Sequence, residues 1–225
     1  MLCFRLHPAG CAIAVAALAA TSAHAQVVAV SNVSVLDSAP NSLAPDTLVG
    51  TQGYLFDEQQ EHTLGVDLHV EIGQPGIFLP GAPIGATITA GTTVSSSLFH
   101  WDLPAGGNGG SVLGSIQIDP DFVILGVIAS NESLAATDDI LGLDSVLYPT
   151  DDPSRRMEIE PDTIGSNGAD TIGLSTDRTT LTFQLGLGSQ GIDQMRILTA
   201  PRVVPAPAGA AALALSSLAA TRRRR

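Results

Sequence analysis

Odd–even alternation of apolar and polar residues is the feature that most restricts this chain. Leu64, Val66, Leu68, Val70 and Ile72 alternate with Gly65, Asp67, His69 and Glu71. Leu181, Phe183, Leu185 and Leu187 alternate again with Thr182, Gln184 and Gly186. A period of two sorts such sets onto opposite faces of an extended strand. Further runs rich in Val, Ile, Leu and Thr, at 27–36, 84–94, 96–103, 112–118, 122–129 and 192–198, are short and cut by turn residues. Strands at this spacing predict an all-β chain: one antiparallel β-sandwich, jelly-roll-like, over residues 26–202. The nearly unbroken apolar run at 122–129 predicts a central strand buried on both faces. Pro75-Gly76 is expected to end the strand at 64–72, and 105–110 and 188–191 read as a loop and a turn. Ser130 or Asn131 is placed to cap one short helix through Leu141, closed by Gly142. No repeat of 20–50 residues suggests a solenoid or propeller.

Both flanks of this domain differ from it in composition. Residues 1–25 combine a basic start (Arg5, His7), an apolar stretch at 11–20 and an Ala23-His24-Ala25 site before Gln26. That order is a secretory signal peptide, with signal peptidase as its partner and Ala23, Ala25 and Gln26 as its cleavage residues. Cys3 and Cys11, the two cysteines, both lie inside it. The mature protein then has no disulfide, thiol nucleophile or thiolate metal site, and its core alone must hold it. Residues 203–225 end the chain with Val204-Pro205-Ala206-Pro207, an uncharged Ala/Leu run to Ala220, and Arg222, Arg223, Arg224 and Arg225. The prolines delay any helix until after them. Residues 206–220 would span roughly 22 Å as a helix at 1.5 Å per residue. A bilayer core of about 30 Å makes that a short span, and the arginines act as a cytoplasmic stop. Transient membrane contact followed by processing is the expectation.

Charge narrows the function classes. All 22 acidic residues lie between Asp37 and Asp193, and residues 26–202 hold only five arginines against them, so the domain carries about −17. Such a surface repels nucleic acid and anionic lipid, which removes nucleic acid from the partners.

Candidate chemistry is sparse. In His100-Trp101-Asp102 the strand alternation puts His100 and Asp102 on one face and Trp101 on the other, and a cross-strand His–Asp pair beside a buried Trp is the expectation. Trp101 is there either a core residue or a glycan contact. His62, His69 and His100 make a weak imidazole set. Asp119, Asp121, Asp151 and Asp152 are hard-oxygen candidates for one structural calcium, but without an EF-hand loop, so no cofactor is assigned. Asp138 and Asp139 read as a helix end. Glu58 with Glu61, or Glu158 with Glu160, could pair as acid and base. Arg155 and Arg156 beside Glu158 and Glu160 read as surface ion pairs. A G-x-S-x-G elbow, a phosphate loop and a dinucleotide fingerprint are all missing from the sequence. No catalytic residue is assigned, and the chain is read as a non-enzyme.

The tail at 204–225 resembles the PEP-CTERM sorting signal of exopolysaccharide-producing bacteria, with Ala206 where the eponymous Glu would stand. The resemblance implies an exosortase-type membrane protease as partner and cleavage near the proline motif. It also implies a destination at the outer surface or in the extracellular matrix, and exopolysaccharide as a neighbour. Inner segments are similar to a planctomycete-type group of exported proteins of unassigned function: 56–60, 94–104, 122–139, 148–150, 155–158 and 192–197. This implies an extracellular β-rich domain. The expected function is a structural or interaction protein of the envelope or matrix. The alternatives are a lectin-like or calcium-dependent glycan binder and, last, a secreted hydrolase.

Overall fold

The computed structural model of the protein describes residues 27–78, 85–103, 109–152, 155, 157, 170–187 and 191–202. Residues 1–26 and 203–225, where the sequence led to the expectation of a signal peptide and a sorting tail, lie outside them. The described chain is mostly β-sheet with one short helix. Its strands are β1 (Val27–Ser31), β2 (Val33–Val35), β3 (Gly53–Asp57), β4 (His62–Thr63), β5 (Leu68–Val70), β6 (Gly76–Phe78) and β7 (Ala86–Ile88). They continue with β8 (Thr93–Asp102), β9 (Gly110–Ile118), β10 (Phe122–Ile128), β11 (Thr171–Leu174), β12 (Thr180–Leu187) and β13 (Ile192–Pro201). Helix α1 (Asn131–Leu141) follows β10.

One sheet has the strand order β1-β9-β12-β11-β6, every pair antiparallel. A second has the order β10-β13-β8-β3-β2, with β4 also paired to β8. Its β2–β3 pair is parallel, so the expected all-antiparallel pairing is corrected at that edge. Strands β5 and β7 form a separate antiparallel pair. The two large sheets meet through one hydrophobic cluster. Leu55, Phe99, Trp101, Met195 and Ile197 come from the six-stranded sheet, and Val112, Ile116, Leu181, Phe183 and Leu185 from the five-stranded one. Phe99 and Phe183 touch with ring centroids 4.8 Å apart, tilted by 53°. Gly114 permits that contact, because a Cβ there would sit 2.5 Å from the Phe183 ring and from Ser31 O.

The two large sheets differ in what covers their other faces. The six-stranded sheet is covered again on its second face by α1 and the loops around it, through Leu98, Ile128, Leu134, Leu141, Val146 and Leu198. Residues 192–199 of β13 are therefore all buried. The five-stranded sheet keeps its second face open, and β12 reads buried–exposed in strict alternation from Leu181 to Leu185.

Local departures from the sequence pattern have visible causes. The run 27–36 splits at Asn32, whose φ of 53° lies in the left-handed region that short polar side chains tolerate. The chain there changes sheets, β1 joining one and β2 the other. The run 64–72 bends at Gly65-Val66, leaving Val66 59 % exposed and just Leu68–Val70 as strand. Asp67 Oδ1 holds that bend by accepting Ala90 N at 2.8 Å. Pro75-Gly76 does interrupt the chain, and Gly76 opens β6. The run 122–129 is an edge strand, not a central one. Its free edge is closed by an isolated bridge between Ile72 and Val127. The Arg178 guanidinium closes it further, donating to Ile124 O, Leu125 O and Gly73 O at 2.7–2.9 Å. Helix α1 forms as expected. Ser130 Oγ accepts Ser133 N at 3.2 Å, and Gly142 N closes on Asp138 O at 2.9 Å. Among the described residues no helix is long and apolar enough to cross a membrane.

Candidate functional site

Two features of the described structure stand out chemically, one sealed and one open. The sealed one lies between α1 and the outer face of β3, β8 and β13. Even-numbered residues of β8 and β13 point that way, so Ser96, His100, Gln194 and Arg196 line one surface. Arg196 donates to both Glu58 oxygens, at 2.6 and 2.8 Å. It reaches Asp138 Oδ1 at 3.1 Å, Leu134 O at 3.3 Å and the Thr137 hydroxyl. Arg155 clamps the same Asp138 carboxylate from the other side at 2.6 and 2.9 Å. The Arg155 Nε donates to Gln194 Oε1. Ser96 Oγ and the Tyr148 hydroxyl complete Glu58 at 2.7 and 2.8 Å. Both guanidinium carbons stand over the Tyr148 ring, at 5.6 and 5.8 Å. Two cations and two carboxylates thus balance in a volume where both arginines are 0 % exposed.

Electrostatics follow from this packing. Burial alone would pull Arg196 down, but Glu58 and Asp138 outweigh it and raise its pKa. Tyr148 is raised, first by burial and then by the Glu58 charge. His100 is lowered to about 4, first by burial and then by the Arg155 charge. It is thus neutral at pH 7. Gln194 Nε2 donates to its Nδ1 at 2.8 Å, since Gln194 Oε1 is held by Arg155; the proton then sits on His100 Nε2. Asp102 is raised to about 6, chiefly by burial, against the opposing hydrogen bond from Asp46 N. Every carboxylate oxygen of Glu58 and Asp138 already holds a donor. The arrangement therefore docks α1 and leaves no acceptor open to a substrate.

Several expectations change here. His100 does not pair with an Asp across strands; its partner is Gln194. Arg155 is no surface ion pair, but a fully buried tie between α1 and β13. Asp138 is at the helix end as read, yet it is also the acceptor shared by two arginines. Trp101 is 1 % exposed and its Nε1 donates to Gly50 O at 3.2 Å, so the ring is in the core and offers no glycan contact. Glu58 is buried while Glu61 is exposed, so they do not share a cleft. His62, His69 and His100 sit on three different strands. Asp119 Oδ1 accepts Asp121 N at 2.8 Å in the turn before β10. Asp152 N donates to Pro149 O at 3.1 Å in another turn, beside exposed Asp151. Among the described residues no group of three or more His, Cys, Asp or Glu side chains converges to hold a metal. Ala23, Ala25, Gln26, Glu158, Glu160, 204–207 and 222–225 lie outside the described residues.

The open feature is the outer face of the five-stranded sheet, which sequence reasoning passed over. None of its strands contains an ionisable residue, in a chain whose pI is near 4.5. Facing out are Ser111, Leu113 and Gln117 from β9, Thr180, Thr182 and Gln184 from β12, Thr171 from β11 and Ile77 from β6. Ile77 and Leu113 are 76 % and 66 % exposed. A trough of about 360 Å³ crosses the face between Ile77, Thr180 and Thr182, with Gly173 among its lining. A second hollow continues it toward Leu113, Thr171 and Gln184. Asp177, in the turn between β11 and β12, is tied back by Ser175 Oγ at 2.6 Å and Thr179 Oγ1 at 2.9 Å, and these bonds lower its pKa. The missing signal was the absence of charge across five separate segments, legible only once their strand order is known. Compared with family models, curated proteins and solved structures, the chain finds no match in any of the three.

Proposed function

We propose that this chain is an exported structural or interaction protein of the cell envelope or exopolysaccharide matrix. Its two large sheets form a β-sandwich in this reading, residues 1–25 are removed by signal peptidase, and residues 203–225 are a PEP-CTERM-type signal for an exosortase-type protease. The observation that carries the reading is the order of parts. A leader-like segment precedes a disulfide-free β-rich domain, and a proline motif, an apolar run and an arginine cluster follow it. A non-catalytic role fits the buried polar cluster, in which every carboxylate oxygen of Glu58 and Asp138 already holds a donor. A glycan-binding module is the second reading, favoured by the neutral trough on the open sheet face. The hydrolase reading loses the pair Glu58–Glu61, as Glu58 already holds Arg196, Ser96 and Tyr148.

Two tail variants test the sorting part in the native host. Deleting Arg222–Arg225 removes the cytoplasmic stop, so the precursor should slip through the membrane unprocessed. Replacing Pro205 and Pro207 with Ala lets a helix extend toward the domain, so the precursor should stay membrane-held and uncleaved. Fractionation with size analysis reads both. If wild type and both variants reach one location at one size, the sorting reading is wrong.

A further inference from the structure

We propose that the open face of the five-stranded sheet is a binding site for a neutral polysaccharide, seated in the trough that Gly173 floors. This deepens the envelope and matrix reading above and rests on it for biological context alone. Charge selects the class of partner. The domain carries about −17, yet β1, β6, β9, β11 and β12 hold no ionisable side chain. A cationic partner would be drawn to the acidic remainder of the surface, and an anionic one would be repelled by it. What the face does offer is hydroxyls and an amide from Thr171, Thr180, Thr182 and Gln184. It also offers two aliphatic side chains, Ile77 and Leu113, left largely in water. Sugar rings present the same two chemistries, hydroxyls at their edges and C–H patches on their faces. A protein partner fits less well. Interface cores are enriched in aromatic residues, Met and Arg and depleted in Ser, and this face shows none of the enriched types pointing outward.

Shape agrees with chemistry. The trough and its neighbouring hollow share Ile77, Gly173 and Thr182, so together they form one elongated depression across β6, β11 and β12. Residue 173 keeps it open. A Cβ added to Gly173 would lie 2.4 Å from the Thr182 hydroxyl, which now points toward Gly173 O at 3.4 Å. A larger side chain at 173 would therefore occupy the space and turn that hydroxyl away. The φ of Gly173 is not in the left-handed region, so a β-branched residue is compatible with the strand.

Affinity electrophoresis of the full chain tests this, in gels containing laminarin, xyloglucan or dextran as neutral probes and alginate as the anionic one. At least one neutral gel should retard the wild type, undiminished by 0.5 M NaCl, because no ion pair is involved. Gly173→Val, which fills the trough, and Thr182→Glu, which charges its exposed wall, should each weaken that retardation at least tenfold. Asp57→Asn, on the other sheet, should leave it unchanged. Circular dichroism confirms that each variant is folded. No retardation by any neutral probe overturns the proposal, as does retardation by alginate alone or retardation that survives both trough variants. A wild-type dimer by sedimentation that Thr182→Glu dissociates overturns it too, assigning the face to a second copy. Localisation is unaffected by these outcomes, so an exported protein that binds no glycan leaves the envelope reading standing.

Discussion

At the scale of single residues, His100 and Asp102 on β8 oppose each other in pH. His100 is held at about 4, below its ordinary 6.5. Between those values the unfolded chain binds a proton that the folded protein does not. Its contribution to stability is full above pH 6.5 and is lost as pH falls to 4. Asp102 is held at about 6, above 3.8, so its contribution is full below pH 3.8 and is lost as pH rises through 6. The two slopes largely cancel in the wild type across the shared window. Replacing His100 with Gln separates them, since Gln keeps a hydrogen-bonding group beside Gln194 and cannot titrate. On going from pH 7 to 4.5, the wild type should lose about 2–3 kcal/mol more unfolding free energy than H100Q. Asp102 is common to both proteins and drops out of the difference. Equal losses, measured by urea unfolding at the two pH values, would show that His100 is not held neutral by its surroundings. Strand parity was enough to place His100 and Trp101 on opposite faces. It was not enough to name His100's partner, because Gln194 lies 94 residues away and strand order is not written in the local pattern.

At the scale of elements, α1 is the part whose position depends most on polar contacts. Its caps were legible, since Ser130 and Gly142 act locally. Its docking was not. Glu58, Asp138, Arg155, Gln194 and Arg196 come from distant segments, and each alone reads as a surface residue. The apolar run 122–129 shows the same limit in another form. It is buried at Phe122, Ile124 and 126–128 but half-buried at Val123 and Leu125, and a strand sealed at its edge by Arg178 looks in sequence like a central one. Buried ion pairs are weak evidence of net stabilisation, yet breaking one by removing a partner typically costs about 3–5 kcal/mol. Arg196→Met should fall in that range, leaving Glu58 and Asp138 in a buried site with one cation fewer. Hydrogen exchange adds the positional signature. Amides of Asn131–Leu141 should lose protection first, while those of β12, across the core, keep theirs relative to the new global stability. Uniform loss of protection, or a cost within 1 kcal/mol, would mean that the polar cluster does not hold the helix. Combining Arg196→Met with Glu58→Gln should cost less than the two changes summed, because the orphaned charge is gone.

At the scale of the whole molecule, the two large sheets divide the work. The six-stranded sheet is covered on both faces, by the inter-sheet core and by the α1 side. The five-stranded sheet is covered on one and presents a charge-free surface on the other. The sequence announced a β-rich domain in an acidic chain, and the described residues are mostly β-sheet. It could not announce that the charges avoid one sheet altogether, since that segregation arises from which strands become neighbours. Under the proposed sorting, the ends of the chain decide where this surface is displayed. Mass spectrometry of the mature protein from its native host tests that most directly, because it reads both ends at once. The expected mature chain has Gln26 as its first residue and a C-terminus at or before the proline motif at 205–207, with 222–225 missing. Recovery from the envelope or matrix of a chain that still carries both residues 1–25 and 222–225 would contradict the proposed sorting.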